Sequence, residues 1–179
     1  PSGSNFTQVT GGGWHSAALK SDGSVTSWGS DGAGQVSNTP TGTNFTRVSA
    51  GLRHSVVLQS DGSLFAWGDN LYGQISQIPT GTGFVQVVAG AHHCVALRSD
   101  GSIAAWGLDN QGQVSQTPMG TGFTQVAAGH QHSIALRSDG SVVAWGWDKH
   151  GQVSQSLTGR GFTSVAAGHG HSVALSDQS

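Results

Sequence analysis

Short bursts of apolar residues, spaced by polar ones, recur along the whole chain with the period of half-buried strands rather than helices. In the clearest copy, Phe123-Thr-Gln-Val-Ala127 predicts a first strand, A, and His132-Ser-Ile-Ala-Leu136 a second, B. Ser141-Val-Val-Ala-Trp145 predicts strand C, and Gly151-Gln-Val-Ser154 the start of a short strand D. Asp-Gly joins B to C four times, at Asp22-Gly23, Asp61-Gly62, Asp100-Gly101 and Asp139-Gly140. That dipeptide between apolar runs predicts a tight hairpin, because a type I′ turn needs positive φ at both central residues. Strand D leads to the next A through Thr-Pro-Thr-Gly-like segments with Pro40, Pro79 and Pro118, which exclude a central strand there. The fourth copy has Leu157 in place of proline.

The pattern is periodic. Trp28, Trp67, Trp106 and Trp145 are spaced by 39 residues, as are His15, His54, His93, His132 and His171, and Phe6, Phe45, Phe84, Phe123 and Phe162. The array divides without a gap into repeats 6–44, 45–83, 84–122 and 123–161 and a partial fifth, 162–179. A unit of this size cannot bury both faces of its own sheet, so residues 1–179 form one domain in which copies stack on each other. Four-stranded units of about this length build radial propellers, so an all-β propeller, or an open part of one, is the expected fold.

Composition supports this and narrows the function. Glycine supplies 29 of 179 residues, Lys and Arg together only 7, and the formal net charge is −2. So few scattered cations give no footprint for nucleic acid. A run of 18 or more apolar residues is missing, which excludes a membrane-spanning helix. The chain lacks an initiator Met and a signal-like start, which reads as a mature chain or one cut from something longer. One cysteine, Cys94, stands where other copies have Ser and reads as a small buried residue.

The block Val126 to Gly146, with Gly-x-x-His-Ser, Leu-x-x-Asp-Gly and Ala-Trp-Gly-x-x-x-x-Gly-Gln, resembles the regulator-of-chromosome-condensation repeat. In repeat length it is most similar to bacterial relatives that include propeller-type β-lactamase inhibitor proteins. The resemblance covers the chain from Phe6 onward and implies a propeller, usually of seven blades, or about 273 residues at this period. A shorter chain is then a fragment, a compressed ring, or a subunit whose unfinished edge another chain completes. The resemblance leaves activity open, since members include a nucleotide exchange factor, a light sensor and enzyme inhibitors.

Repeats within one chain can be compared position by position. Constant positions serve packing and turns; variable ones are free for recognition. Variation concentrates in the A–B loops, at Gly13-Trp14, Leu52-Arg53, Ala91-His92, His130-Gln131 and His169-Gly170. It also concentrates in the C–D loops, Ser30 to Ala33, Asp69 to Tyr72, Leu108 to Gln111 and Trp147 to His150. In an up-down meander these loops share one end of the sheet, opposite the Asp-Gly hairpins. The expected binding residues are Trp14, Leu52, Arg53, Leu71, Tyr72, His92, His130, Gln131, Trp147, Lys149 and His150. Aromatic residues and arginine are the types enriched at protein interfaces. In the inhibitor relatives the equivalent face grips the target, which the resemblance extends to this chain.

A non-enzymatic module that binds a protein, or a glycan, follows as the first reading. Self-assembly through the unfinished edge into a homo-oligomer is the second. An enzyme using His and Asp of the loop face is the third. The recurring His reads as a structural contact to the neighbouring blade rather than a metal ring, and no cofactor or metal is expected. Asp31, Asp69, Asp109 and Asp148, one in each C–D loop, read as turn formers before acid/base groups. Asn5-Phe-Thr7 and Asn44-Phe-Thr46 match glycosylation acceptors. Low charge and a Ser/Thr/Gly-rich surface suggest a bacterial protein that is extracellular or at the cell surface.

Overall fold

A computed structural model describes residues 5–155 and 158–176. Leu157 of the fourth connection, Pro1 to Ser4 and Asp177 to Ser179 lie outside the described residues. The first repeat forms β1 (Phe6–Gly11), β2 (His15–Lys20) and β3 (Val25–Gly29). Repeats two to four give β4 (Phe45–Ala50), β5 (His54–Gln59), β6 (Leu64–Gly68), β7 (Phe84–Ala89), β8 (His93–Arg98), β9 (Ile103–Gly107), β10 (Phe123–Ala128), β11 (His132–Arg137) and β12 (Val142–Gly146). The fifth contributes β13 (Phe162–Ala167) and β14 (Ser172–Ser176). Each repeat is an antiparallel meander, three-stranded in the first four and two-stranded in the fifth. The fold is an all-β propeller array.

The expected strand D does not form. Gly34 to Thr39 and its counterparts coil into a single tight turn instead, with Gln77 N bonding Gly73 O at 3.0 Å and Gln155 N bonding Gly151 O at 3.0 Å. The cause is local. Asp31 Oδ1 accepts from Val36 N and Ser37 N, both at 2.9 Å, and Gln35 Oε1 accepts from Ala33 N at 2.7 Å. A carboxylate that collects two successive amides closes the chain into a turn before a ladder can start.

The first strands of successive repeats, β1, β4, β7, β10 and β13, lie side by side, and each middle strand packs on the next repeat. Ala17 and Leu19 of β2 meet Phe45, Val48, Val57 and Trp67 of the second repeat. Val95 and Leu97 meet Phe123, Val126, Ala135 and Trp145 in the same way. The middle strands β5, β8 and β11 are therefore buried on both faces, which explains why they read as nearly continuous apolar runs. Each fully buried Val, Leu or Phe contributes roughly 1.5–3 kcal/mol relative to exposure.

Polar straps fix the stack. Trp67 Nε1 donates to Gln35 O of the preceding repeat at 2.9 Å, and Trp106 and Trp145 repeat this on Gln74 O and Gln113 O. The side chain of Gln8 bonds both the N–H and the C=O of Val48 across the repeat junction, and Gln86 does the same to Val126. Arg47 replaces that glutamine in the second repeat. There Ser49 Oγ, accepting from Ala89 N at 3.0 Å, ties the junction.

The recurring histidine completes the first three junctions, while in the fourth His132 Nε2 has no partner and Ser172 Oγ donates to Gln152 O at 3.1 Å. His15 Nε2 meets Ser55 Oγ at 2.7 Å, His54 meets Cys94 Sγ at 3.1 Å and His93 meets Ser133 Oγ at 2.8 Å. Cys94 thus takes over the hydroxyl's place, and complete burial pushes its thiol pKa up. A glycine lies beneath each ring because nothing larger fits: a Cβ on Gly90 would stand 2.4 Å from His93 Cε1 and 2.7 Å from Gly129 O.

Gly90→Ala should therefore cost on the order of 1–3 kcal/mol by overpacking. Gly11→Ala, where a Cβ meets nothing within 4 Å, should change stability by less than about 0.5 kcal/mol. Urea unfolding midpoints of the two variants check this, and equal midpoints would contradict the close packing.

Candidate functional site

The two variable loop sets are bonded to each other at one end of the array. Ser30 N donates to Trp14 O at 2.8 Å, Asp69 N to Arg53 O at 2.8 Å, Leu108 N to His92 O at 2.9 Å and Trp147 N to Gln131 O at 2.9 Å. The residue after each Trp-Gly thus anchors its C–D loop on the A–B loop of the same repeat. At the other end, the Asp-Gly hairpins hold the next repeat: Phe45 N bonds Gly23 O, Phe84 N bonds Gly62 O and Phe123 N bonds Gly101 O. Hairpin side chains are spent on their own turns, as where Asp22 Oδ1 accepts from Ser24 N and Ser24 Oγ.

The A–B loops surround an axial cavity of about 420 Å³. Its walls are small, including Gly12, Gly51, Gly90, Gly129 and Gly168 with the alanines beside them. Leu52, His130 and His169 are the larger side chains lining it. The loops are linked around it by Gly13 N to Gly51 O, Leu52 N to Ala91 O and Ala91 N to Gly129 O, at 3.1–3.3 Å.

An arc of rings crosses the mouth. Tyr72 meets His92 edge-on with centroids 5.2 Å apart, His92 meets His130 at 6.3 Å, and His130 leans on His169 at 4.2 Å. Trp147 and His150 form a separate edge-on pair at 5.1 Å in the fourth repeat. Trp14 and Leu71 are 69% and 72% exposed, and Tyr72 is 38% exposed. Arg53 and Lys149 are exposed on the same loops, and Gln131 is half-buried. Of the expected residues, the structure places Leu52 and His130 on the cavity wall, links His92 and Tyr72 to His130 by successive ring contacts, and sets Trp14, Leu71 and the Trp147–His150 pair on loops of the same end. His169, absent from the expected set, completes the arc. Its signal was present, since it occupies in the fifth repeat the loop position that His130 holds in the fourth.

The loop aspartates act as turn formers, though Asp69 does so differently from the other three. In the second repeat Asn70, not Asp69, takes the capping position, with Oδ1 accepting from Ile75 N at 2.9 Å and Ser76 N at 3.0 Å. Asp69 Oδ1 accepts only from Leu71 N, at 3.2 Å. Asp31 is held below the usual carboxylate range by its bonds from Ser37 N and Val36 N. Asp109 and Asp148 make the same pairs of backbone contacts. Among the described residues no group of three or more His, Cys, Asp or Glu is arranged to hold a metal ion.

The sequence profile of the regulator of chromosome condensation (RCC1) repeat matches residues 6–35, 45–74, 84–113 and 123–152. The chain belongs to the RCC1 repeat family. No curated protein sequence matches the chain. Among solved structures, this RCC1-repeat array is similar to the entire ectodomain of receptor kinase CR4 from Physcomitrella patens, with TM-score 0.81 and 20% identity over 97% of this chain and 49% of that one. The CRINKLY WD40 ectodomain of receptor kinase ACR4 from Arabidopsis thaliana gives 0.78 and 23% over 96% and 68%. Prp20p from Saccharomyces cerevisiae, described with its binding properties to Gsp1p and histones, gives 0.75 and 22% over 96% and 56%. The RCC1-repeat array thus spans about half the length of CR4 and Prp20p, and shares their fold.

Below the loops, burial holds the strap histidines uncharged. Desolvation lowers the pKa of His54 to about 4 and that of His93 to about 3. In the unfolded chain both rings take up protons near pH 6.5. Stability is therefore fully present above pH 6.5 and falls as pH drops from there toward the folded values. Each of these rings should cost up to about 1.4 kcal/mol per pH unit in that window. Urea midpoints measured from pH 8 to pH 4 should stay level to about 6.5 and then decline steadily. A midpoint unchanged at pH 5 would show that the imidazoles are not buried neutral.

Proposed function

We propose that this chain is a non-enzymatic recognition module that holds a protein partner on its A–B and C–D loop face. The observation that carries the reading is the contrast between the two ends of the array. The hairpin end is occupied in joining repeats, whereas the loop end presents Trp14, Leu71, Tyr72 and Trp147 around a shaped cavity, on positions that differ from repeat to repeat. Rigid scaffolds with variable loops are where binding sites concentrate, and exposed aromatics supply large contact area with little entropy to lose. Arg53, Lys149 and the loop histidines add polar contacts. Protein binding by Prp20p on the same fold is in keeping with this. A glycan stacked on Trp14 or Trp147 is the alternative ligand class for the same face. An extracellular or cell-surface location is part of this proposal.

A second reading is self-association through the fifth sheet, with Val173 and Leu175 exposed while Ile134 and Leu136, their counterparts in the fourth, are buried. A native mass above 18.2 kDa that falls on Leu175→Asp would favour it.

The test is a pull-down from matched extracellular protein and glycan libraries with the wild type and a Trp14→Ala, Arg53→Ala, Tyr72→Ala, Trp147→Ala variant, folding checked by circular dichroism. Truncating a true hot spot costs about 2 kcal/mol or more, so retention should drop at least ~30-fold. Equal retention by both proteins, or none by either, sinks the loop-face reading.

A further inference from the structure

Resting on the loop-face reading, we propose that the His92–His130–His169 arc is the part of that face that receives a carboxylate-bearing segment of the partner, and that it takes up protons as it does so. Three imidazoles from three successive repeats form this arc, with ring centroids 6.3 Å and then 4.2 Å apart. Two of them, His130 and His169, line the axial cavity. They make no strap to a neighbouring repeat of the kind that holds His15, His54 and His93. His92 Nδ1 is buried and has no hydrogen-bond partner. The arc therefore contains donor and acceptor capacity that the fold itself does not use.

The local charges define what can use it. Burial is the main cause that lowers the pKa of His92, with the Asp69 carboxylate acting against that shift and the Arg53 guanidinium acting with it. His130 feels His169 and His92, both of which disfavour its protonation, and burial acts in the same direction on His92 and His130. Below the arc, His54 and His93 are buried and neutral, and their interactions with the loop rings oppose any charge. In the free protein burial thus disfavours the charged forms of His92 and His130, and the ring of His169 lies 4.2 Å from that of His130.

An incoming carboxylate reverses that balance. It accepts an N–H from each of two imidazolium rings, cancels their repulsion, and stabilises the charged form of both. His92 and His130, whose charged forms burial disfavours in the free protein, then bind protons from solvent as the complex forms. By linkage, affinity must then rise as pH falls between the pKa of His92 and His130 in the complex and their lowered values in the free protein. A metal ion is the poorer fit, because among the described residues no set of three ligands is arranged for one. An apolar ligand would have no use for three titratable rings at the rim.

The probe is a hexaglutamate peptide, with hexaglutamine as the uncharged control, titrated calorimetrically at pH 7.5 and pH 6.0 in buffers of different ionisation enthalpy. Circular dichroism at each pH confirms that the array is folded. The expected result is at least 10-fold tighter binding of hexaglutamate at pH 6.0, with uptake of at least one proton per peptide. A His130→Gln, His169→Gln variant should lose both the pH dependence and the proton uptake. Binding of hexaglutamine with equal affinity, pH-independent binding of hexaglutamate, or no binding of hexaglutamate at either pH overturns the proposal. The broader reading is tested separately: a partner lost by the four-site variant yet held by wild type with no proton uptake leaves loop-face recognition standing and removes the histidines from it.

Discussion

The contact that the rest of the structure depends on is the junction between one sheet and the next. A three-stranded meander of this length has two apolar faces and no helix to cover either, so its neighbours must supply the cover. The junction demands close backbone approach near the axis and bulk further out. Glycine under the histidine ring satisfies the first demand, since a Cβ on Gly51 would stand 2.4 Å from both Gly90 O and His54 Cε1. The indole of Trp67 or Trp106 satisfies the second, with its N–H placed on the preceding repeat. These are the positions that do not change along the chain, because every junction imposes the same geometry on them.

That demand falls unequally on the two ends of each sheet. At the hairpin end, the Asp-Gly turn has to accept the first amide of the next repeat, and a Cβ on Gly62 would stand only 2.7 Å from Gly83 N. Little can vary there. At the loop end, the fold needs the glycine, the histidine and one backbone bond from the C–D loop to the A–B loop. The side chains between them, from Trp14 to His130, face no such requirement. Freedom to differ and position at a shared cavity therefore come from the same cause, and the candidate site lies where the packing constraint stops.

Much of this is legible in the chain, and the failures have specific reasons. The 39-residue spacing of Phe, His and Trp reports the junction directly, because one residue type recurs wherever one contact recurs. The Asp-Gly dipeptides report the hairpins through backbone geometry alone. Strand D was misread because Gln-Val-Ser has strand-like composition over three residues, too few for periodicity to decide, while the capping oxygen that bends the segment sits several residues earlier at Asp31. Asp69 forms its own turn by accepting from Leu71 N, while Asn70 holds the position that Asp31 has in the first repeat, where an amide oxygen caps equally well. His169 is legible in the chain only as the repeat-equivalent of His130, since its ring contact to His130 at 4.2 Å has no signature in local sequence.

The two populations of histidine show how one residue type can serve both halves of the molecule. His54 and His93 lie inside the junctions, where loss of hydration holds them near pKa 4 and 3, so they act as neutral polar linkers across the range in which the array is stable. His92 and His130 stand one or two residues before the strap position, half-buried at the cavity mouth. Part of their hydration survives there, so charging them is penalised less severely than in the core. A shift of one or two residues along the loop thus separates a structural imidazole from one free to respond to a ligand. The stacking constraint fixes the first kind, and by fixing it holds the second kind in an arc across successive repeats.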